Sequence, residues 1–398
     1  MPTKNEMIHN LKNVKLVLGN GFDLHCHLKT TYSDFFHYYE ENNKYLLKWI
    51  DEFTPQARDY VDLRTANNKD FWLDFINFDK TNVWDFFFYL ISREYGVDIA
   101  KWRWCDIESK IEESLLDITP ESGLCWLSVY ELLKNGRAID TDFLDLFVLA
   151  GVVYKKNGEK KFSSKGEFFT FLLDELKLFE SNFGYYIYRQ HYDDTNRNFG
   201  VIIPNESFRR FSKLTIDSLC DSKSLVSIDS FNYDSVEIEE LEPIFHNVNG
   251  NVKAPIFGID SDRFRYNDSR YIFSKTNRRM ELDMLENETG ERTEFDNIIV
   301  FGHSLNAADY SYFFSILDKI EITNLESPSK IIFAFSIYDS KEEEEIKANL
   351  RKAIFRLFQD YSKYKGNELF PNRLLDALTT QGKVLMFEIP NIDVNPKP

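Results

Sequence analysis

The polar residues best placed to do chemistry stand directly after apolar runs. Gly19-Asn20-Gly21-Phe22-Asp23 follows the run VKLVL at 14–18, Asn232 and Asp234 close the stretch SIDSFNYD at 227–234, and Gly302, His303 and Ser304 follow IIVF at 298–301. A continuous apolar run that stops at such residues reads as a strand of a parallel sheet covered on both faces. Ligands of such sheets bind outside the carboxyl ends of the strands. A Gly-x-Gly turn there lets backbone amides and a following helix meet phosphate oxygens with no side chain in the way. The turn is not a full G-x-G-x-x-G, since Leu24 fills the last position, and no G-x-x-x-x-G-K-[ST] occurs in the chain. Alone it is also what a plain tight turn looks like; three polar strand ends in one sheet make a site.

Histidines compete for the role of base. His246 and His303 both stand at strand ends, where an imidazole titrating near neutrality can reach a sugar hydroxyl. Asn306-x-x-Asp309 has capping-box form, which gives Asp309 a structural reading beside a functional one. His25-Cys26-His27 invites a metal, but neighbours on a turn point apart and no carboxylate cluster accompanies them, so no metal is expected. Asp106 and Glu108 lie two apart on a predicted helix, hence on different faces, and read as a solvated edge with one residue reaching the cleft.

The elements that must position these residues follow from the apolar pattern. Thr31-x-x-Asp34 has capping-box form before a helix carrying Phe35, Phe36, Tyr38 and Tyr39 and running on toward Ile50. Residues 41–220 are aromatic and Leu-rich with few alternating runs and read as a mostly helical insertion. Short strands return at 225–230, 244–248, 256–259, 298–301, 331–337 and 384–388. Asp339 or Ser340 is expected to cap a helix with Glu342 to Glu345 in its first turn, and the charged stretch 281–296 reads as an exposed loop. The expected fold is α/β: a Rossmann-type, largely parallel sheet from 1–40 and 221–398, interrupted by the insertion at 41–220. The aromatic load of that insertion exceeds what one amphipathic layer needs and points to a lid or a homo-oligomer interface.

Composition narrows the function classes. The 398 residues carry a formal charge of −17, which repels nucleic acid and anionic membranes from most of the surface. The longest apolar run, 86–91, is far short of the roughly 20 residues that span a bilayer, so the reading is a cytoplasmic protein with no membrane partner. The four cysteines show neither zinc nor redox spacing and read as reduced, buried thiols.

Taken in order, GNGFDLHCHLKTTYSDFF (19–36), SFNYD (230–234), HNVNG (246–250), IFGID (256–260) and FGHSLNAADYSYF (301–313) resemble the motifs of the AbiH family of bacteriophage abortive-infection proteins, with a further match at WCDIE (104–108). The same series is similar to that of sirtuin-like domains, in which such residues surround NAD. That resemblance implies that Gly19, Asn20 and Gly21 hold phosphates, that Asn232 faces the nicotinamide ribose, and that Gly302, His303 and Ser304 hold the other phosphate or ribose. Phe22, Asp234, Asn249, Gly250 and Asp309 would complete the nucleotide shell. The chain departs from the pattern twice. Asn249 stands before Gly250 where the sirtuin-like base His would be, and His27 stands where AbiH relatives usually carry Gly, a position His tolerates in left-handed geometry.

Two functions are open on these residues. One is an antiphage effector that hydrolyses the glycosidic bond of NAD or a related nucleotide, with Asp23 or Asn232 stabilising oxocarbenium character and His303 as candidate base. The other is a nucleotide-sensing module without turnover, whose helical insertion engages a phage or host protein.

Overall fold

The computed structural model describes residues 8–42, 83–85, 88, 104–117, 164–192, 205–233, 244–260, 265, 267–286, 294–337, 342–366 and 372–392. The chain divides into two compact units. The first comprises Met1–Thr30, Ile187–Pro255 and Arg279–Pro398; the second comprises Thr31–Tyr186 and Ile256–Arg278.

In the first unit, β1 (Val14–Leu18), β2 (Leu225–Ser230), β3 (Ile244–Asn247), β4 (Asn297–Phe301), β5 (Lys330–Phe335) and β6 (Val384–Glu388) form one all-parallel sheet in the order 3-2-1-4-5-6. This is the doubly wound order, whose reversal point lies between β1 and β4. Helices cover both faces, which is why the central strands are apolar at successive positions. Val14, Leu16, Leu18, Ile299, Phe301 and Ile332 share one core with Phe208, Phe211, Ile216 and Leu219 of the helix Glu206–Leu219. Val17, Ile298, Val300, Ile331 and Phe333 share the other with Phe313 and Leu317 of Tyr310–Lys319 and with Leu357, Phe358 and Tyr361 of Glu343–Tyr364.

The second unit is built on Tyr32–Asn42, Trp104–Asp117 and the part of the long helix Lys165–His191 up to Tyr186. Phe35 contacts the rings of Phe179, Phe183 and Tyr186, and Phe257 contacts Phe179 and Phe183, so these described aromatics form a core.

Four local expectations are corrected. Residues 256–259 add no strand to the sheet: they lie in the second unit, where Ile259 makes a single bridge to Ser274. The stretch read as a loop from 281 is helical to Glu286 within Lys275–Glu286. The strand 244–247 is a half-exposed sheet edge rather than a buried strand. Glu108 is no solvated edge: it is buried and held by Lys275 Nζ at 2.9 Å. Asp339 and Ser340 lie outside the described residues, and the residue at the start of Glu343–Tyr364 is Glu342, without a side-chain cap. Among the described residues no helix is long and apolar enough to cross a membrane.

Candidate functional site

The register of the sheet brings the polar strand ends together. Leu18 pairs with Ser230 on one side and Phe301 on the other, and the ladder runs one step further: Gly19 N–H donates to Phe301 O at 2.9 Å and Phe231 N–H to Leu18 O at 2.8 Å. Gly19, Asn232 and Gly302 therefore leave the same edge of three adjacent strands, at the reversal point where parallel sheets bind ligands.

Two turns meet there backbone to backbone. Gly21 N–H donates to Gly302 O at 2.8 Å. A Cβ on Gly19 would fall 2.5 Å from His303 Cα, and one on Gly302, whose φ is +71°, 2.4 Å from Phe22 N. The glycines are thus required by the approach of these turns, and the amides of Gly19 and Gly21 are spent on it. The chain then enters a helix at once, Asn20–His25, rather than after a loop. Asn20 is half-buried and its Oδ1 accepts from Thr30 Oγ1 at 2.7 Å, while Phe22 is wholly buried in the core.

Asn232 is buried at the centre of this edge. Its Nδ2 donates to Gly19 O at 3.2 Å and to Asp23 Oδ1 at 2.9 Å. Asp23, 3% exposed, turns its other oxygen toward His191 Nε2 at 3.8 Å. The Nδ1 of His191 lies 3.1 Å from Ile187 O, an acceptor only, so that nitrogen carries a proton. Asp23 is therefore enclosed by protein groups.

His303 folds inward. Its Nδ1 accepts from Leu305 N at 2.8 Å, leaving Nε2 to carry the proton toward Asp309 Oδ2 at 3.5 Å, and its ring lies edge-on to Phe231 and Phe313. The Leu305 amide thus helps hold a leucine in left-handed geometry, φ +54°. Asn306 makes no side-chain cap, so the Asn306-x-x-Asp309 capping box does not form, and Asp309 serves the imidazole instead. Ser304 is exposed at the tip of the turn.

Beside β3, Asn249 is buried and its Oδ1 accepts from Arg279 Nη2 at 3.0 Å, while Arg279 Nε donates to Val248 O at 2.8 Å. Gly250, at φ +78°, pairs with Pro255 in a short antiparallel hairpin, where a Cβ would sit 2.1 Å from Ala254 O. His246 is exposed on the edge strand. Asp234 lies outside the described residues.

One layer below, Lys15 Nζ donates to Asp229 Oδ1 at 2.7 Å and Tyr312 OH to Asp229 Oδ2 at 2.6 Å. Burial, then the Asp229 charge, holds the Tyr312 hydroxyl far above its ordinary pKa, so it remains a donor. His25 is buried beneath the edge with Nδ1 3.1 Å from Ser336 Oγ, while His27 is exposed, so the two rings diverge. Among the described residues no group of three or more His, Cys, Asp or Glu is arranged to hold a metal ion.

His191, Thr30 and Arg279 were not singled out from sequence. Each reaches the edge from a separate part of the chain, and nothing in its local pattern marks it. A family model described as "Bacteriophage abortive infection AbiH" matches residues 16–328. No curated protein and no solved structure matches the chain.

Proposed function

Because the chain belongs to the AbiH family of bacteriophage abortive-infection proteins, we propose that it acts in phage defence by binding and hydrolysing NAD or a related nucleotide at the C-terminal edge of its parallel sheet. The observation that carries this reading is the convergence of Gly19–Asp23, Asn232 and Gly302–Asp309 at the β1/β4 reversal point, the position at which doubly wound sheets take nucleotides. Asn232 offers its Oδ1 to a sugar hydroxyl, Ser304 supplies a hydroxyl at the open tip, and the amides of Gly19 and Gly21 shape the edge instead of touching phosphate. Cleavage of an N-glycosidic bond needs little beyond a clamped sugar and an oriented water.

The enclosed His303 ring and the engagement of Asn249 by Arg279 favour a second reading, a nucleotide-sensing module that binds without turnover and signals to a phage or host protein. Incubating purified protein with NAD and with ATP separates the two. Released nicotinamide or another product supports the hydrolase; saturable binding with no product supports the sensor. Neither binding nor product with either compound ends the nucleotide reading.

A further inference from the structure

A primary amide can present either its oxygen or its nitrogen to a ligand, and the two choices recognise opposite chemistry. At Asn232 the protein decides. The Nδ2 protons face two acceptors, Gly19 O and Asp23 Oδ1, which fixes the amide with Oδ1 turned the other way. Oδ1 has no hydrogen-bond partner among the described residues and is not fully enclosed. Of the two acceptors Asp23 Oδ1 is the nearer, at 2.9 Å against 3.2 Å, and it is the one a side-chain substitution can remove.

Asp23 is itself enclosed, 3% exposed, on the helix that follows β1, while Asn232 stands just past the end of β2. A buried carboxylate keeps its place better than one open to water.

We propose that Asp23 is a positioning residue that acts through Asn232, fixing its Oδ1 as an acceptor toward the ligand; this rests on the reading of the edge as a nucleotide site. A fixed acceptor takes a hydroxyl or N–H of the ligand, as on a sugar, and rejects a phosphate oxygen.

The test uses the full chain labelled with 15N at asparagine, the Asn232 side-chain signal being identified by its loss in Asn232→Asp. Hydrogen exchange of that amide is measured in Asp23→Leu and Asp23→Asn, with thermal melting as the control for folding. Asp23→Leu should speed exchange by about tenfold or more, the loss of one buried hydrogen bond, and Asp23→Asn, which keeps an acceptor for Nδ2, should stay within about threefold of wild type. An Asp23→Leu variant that exchanges less than about tenfold faster than wild type, or equally with Asp23→Asn, overturns the role of Asp23. Should Asp23→Leu not fold, Asp23→Asn decides: tenfold faster exchange in the folded variant refutes the arrangement. NAD titration of the same proteins is read separately. Wild type that does not bind NAD ends the nucleotide reading, while the exchange rates still settle whether Asp23 orients Asn232.

Discussion

Gly21 and Gly302 touch through their backbones: Gly21 N–H donates to Gly302 O at 2.8 Å, and a Cβ on Gly21 would stand 2.6 Å from Gly302 Cα. Two turns 281 positions apart in the sequence thus close on each other at the sheet edge with no room for a methyl group.

Gly302→Ala should therefore cost about 3 kcal/mol or more, from forced left-handed geometry together with a clash against Phe22 N. Gly366→Ala separates the two causes. Gly366 has φ +86° with nothing near its would-be Cβ, so alanine there should cost only about 1 kcal/mol. Urea unfolding of both variants measures the difference, and equal losses would show that the turn contact does not matter.

Lys15, Asp229 and Tyr312 form a buried polar group on the sheet face that carries the helix Tyr310–Lys319. Lys15→Met alone should cost about 3–5 kcal/mol, because it strands the Asp229 carboxylate in the core. Combining it with Asp229→Leu and Tyr312→Phe should recover most of that loss, since an apolar set of similar volume needs no partner. A triple variant no more stable than Lys15→Met would contradict this account.

His25 has its pKa lowered to about 4, first by burial and then by the neighbouring His27. The unfolded chain binds a proton at this residue below about pH 6.5, whereas the folded protein resists it down to about pH 4. Stability should consequently fall as pH drops through that window. His25→Phe keeps a ring against Phe301 while losing the Ser336 bond, so its denaturation midpoint should start lower at pH 7 and decline less steeply toward pH 4.5. Parallel slopes for wild type and variant would exclude His25 as the source.

His27 adopts φ +64°, which costs an L-residue about 1–2 kcal/mol, and its Nε2 lies 3.1 Å from Ile392 O at an exposed position. Relief of the backbone should outweigh that one exposed bond. His27→Gly is expected to raise stability by about 0.5–1 kcal/mol, visible as a higher melting temperature, and a lower one would mean that the tie to Ile392 or the ring contact with Phe211 dominates.

What the sequence determined by itself was local. The short runs at 14–18, 225–230, 244–248, 298–301, 331–337 and 384–388 place all six strands, the central ones because a strand buried on both faces must be apolar at successive positions. Thr31 and Asp34 form the reciprocal cap that their spacing predicts, with Asp34 N donating to Thr31 Oγ1 at 3.0 Å and Thr31 N to Asp34 Oδ2 at 3.1 Å. The left-handed turn at His27 was equally legible.

Only the tertiary structure decided the rest. The sheet order, the helical state of 281–286, the burial of Glu108 against Lys275 and the placing of 256–259 away from the sheet depend on partners far along the chain. The same holds for the site. Asp23, His191 and Asn232 lie 168 and 41 residues apart, and an amide's orientation, a carboxylate's enclosure and an imidazole's proton are set by what stands opposite in space, a relation that no local spacing encodes.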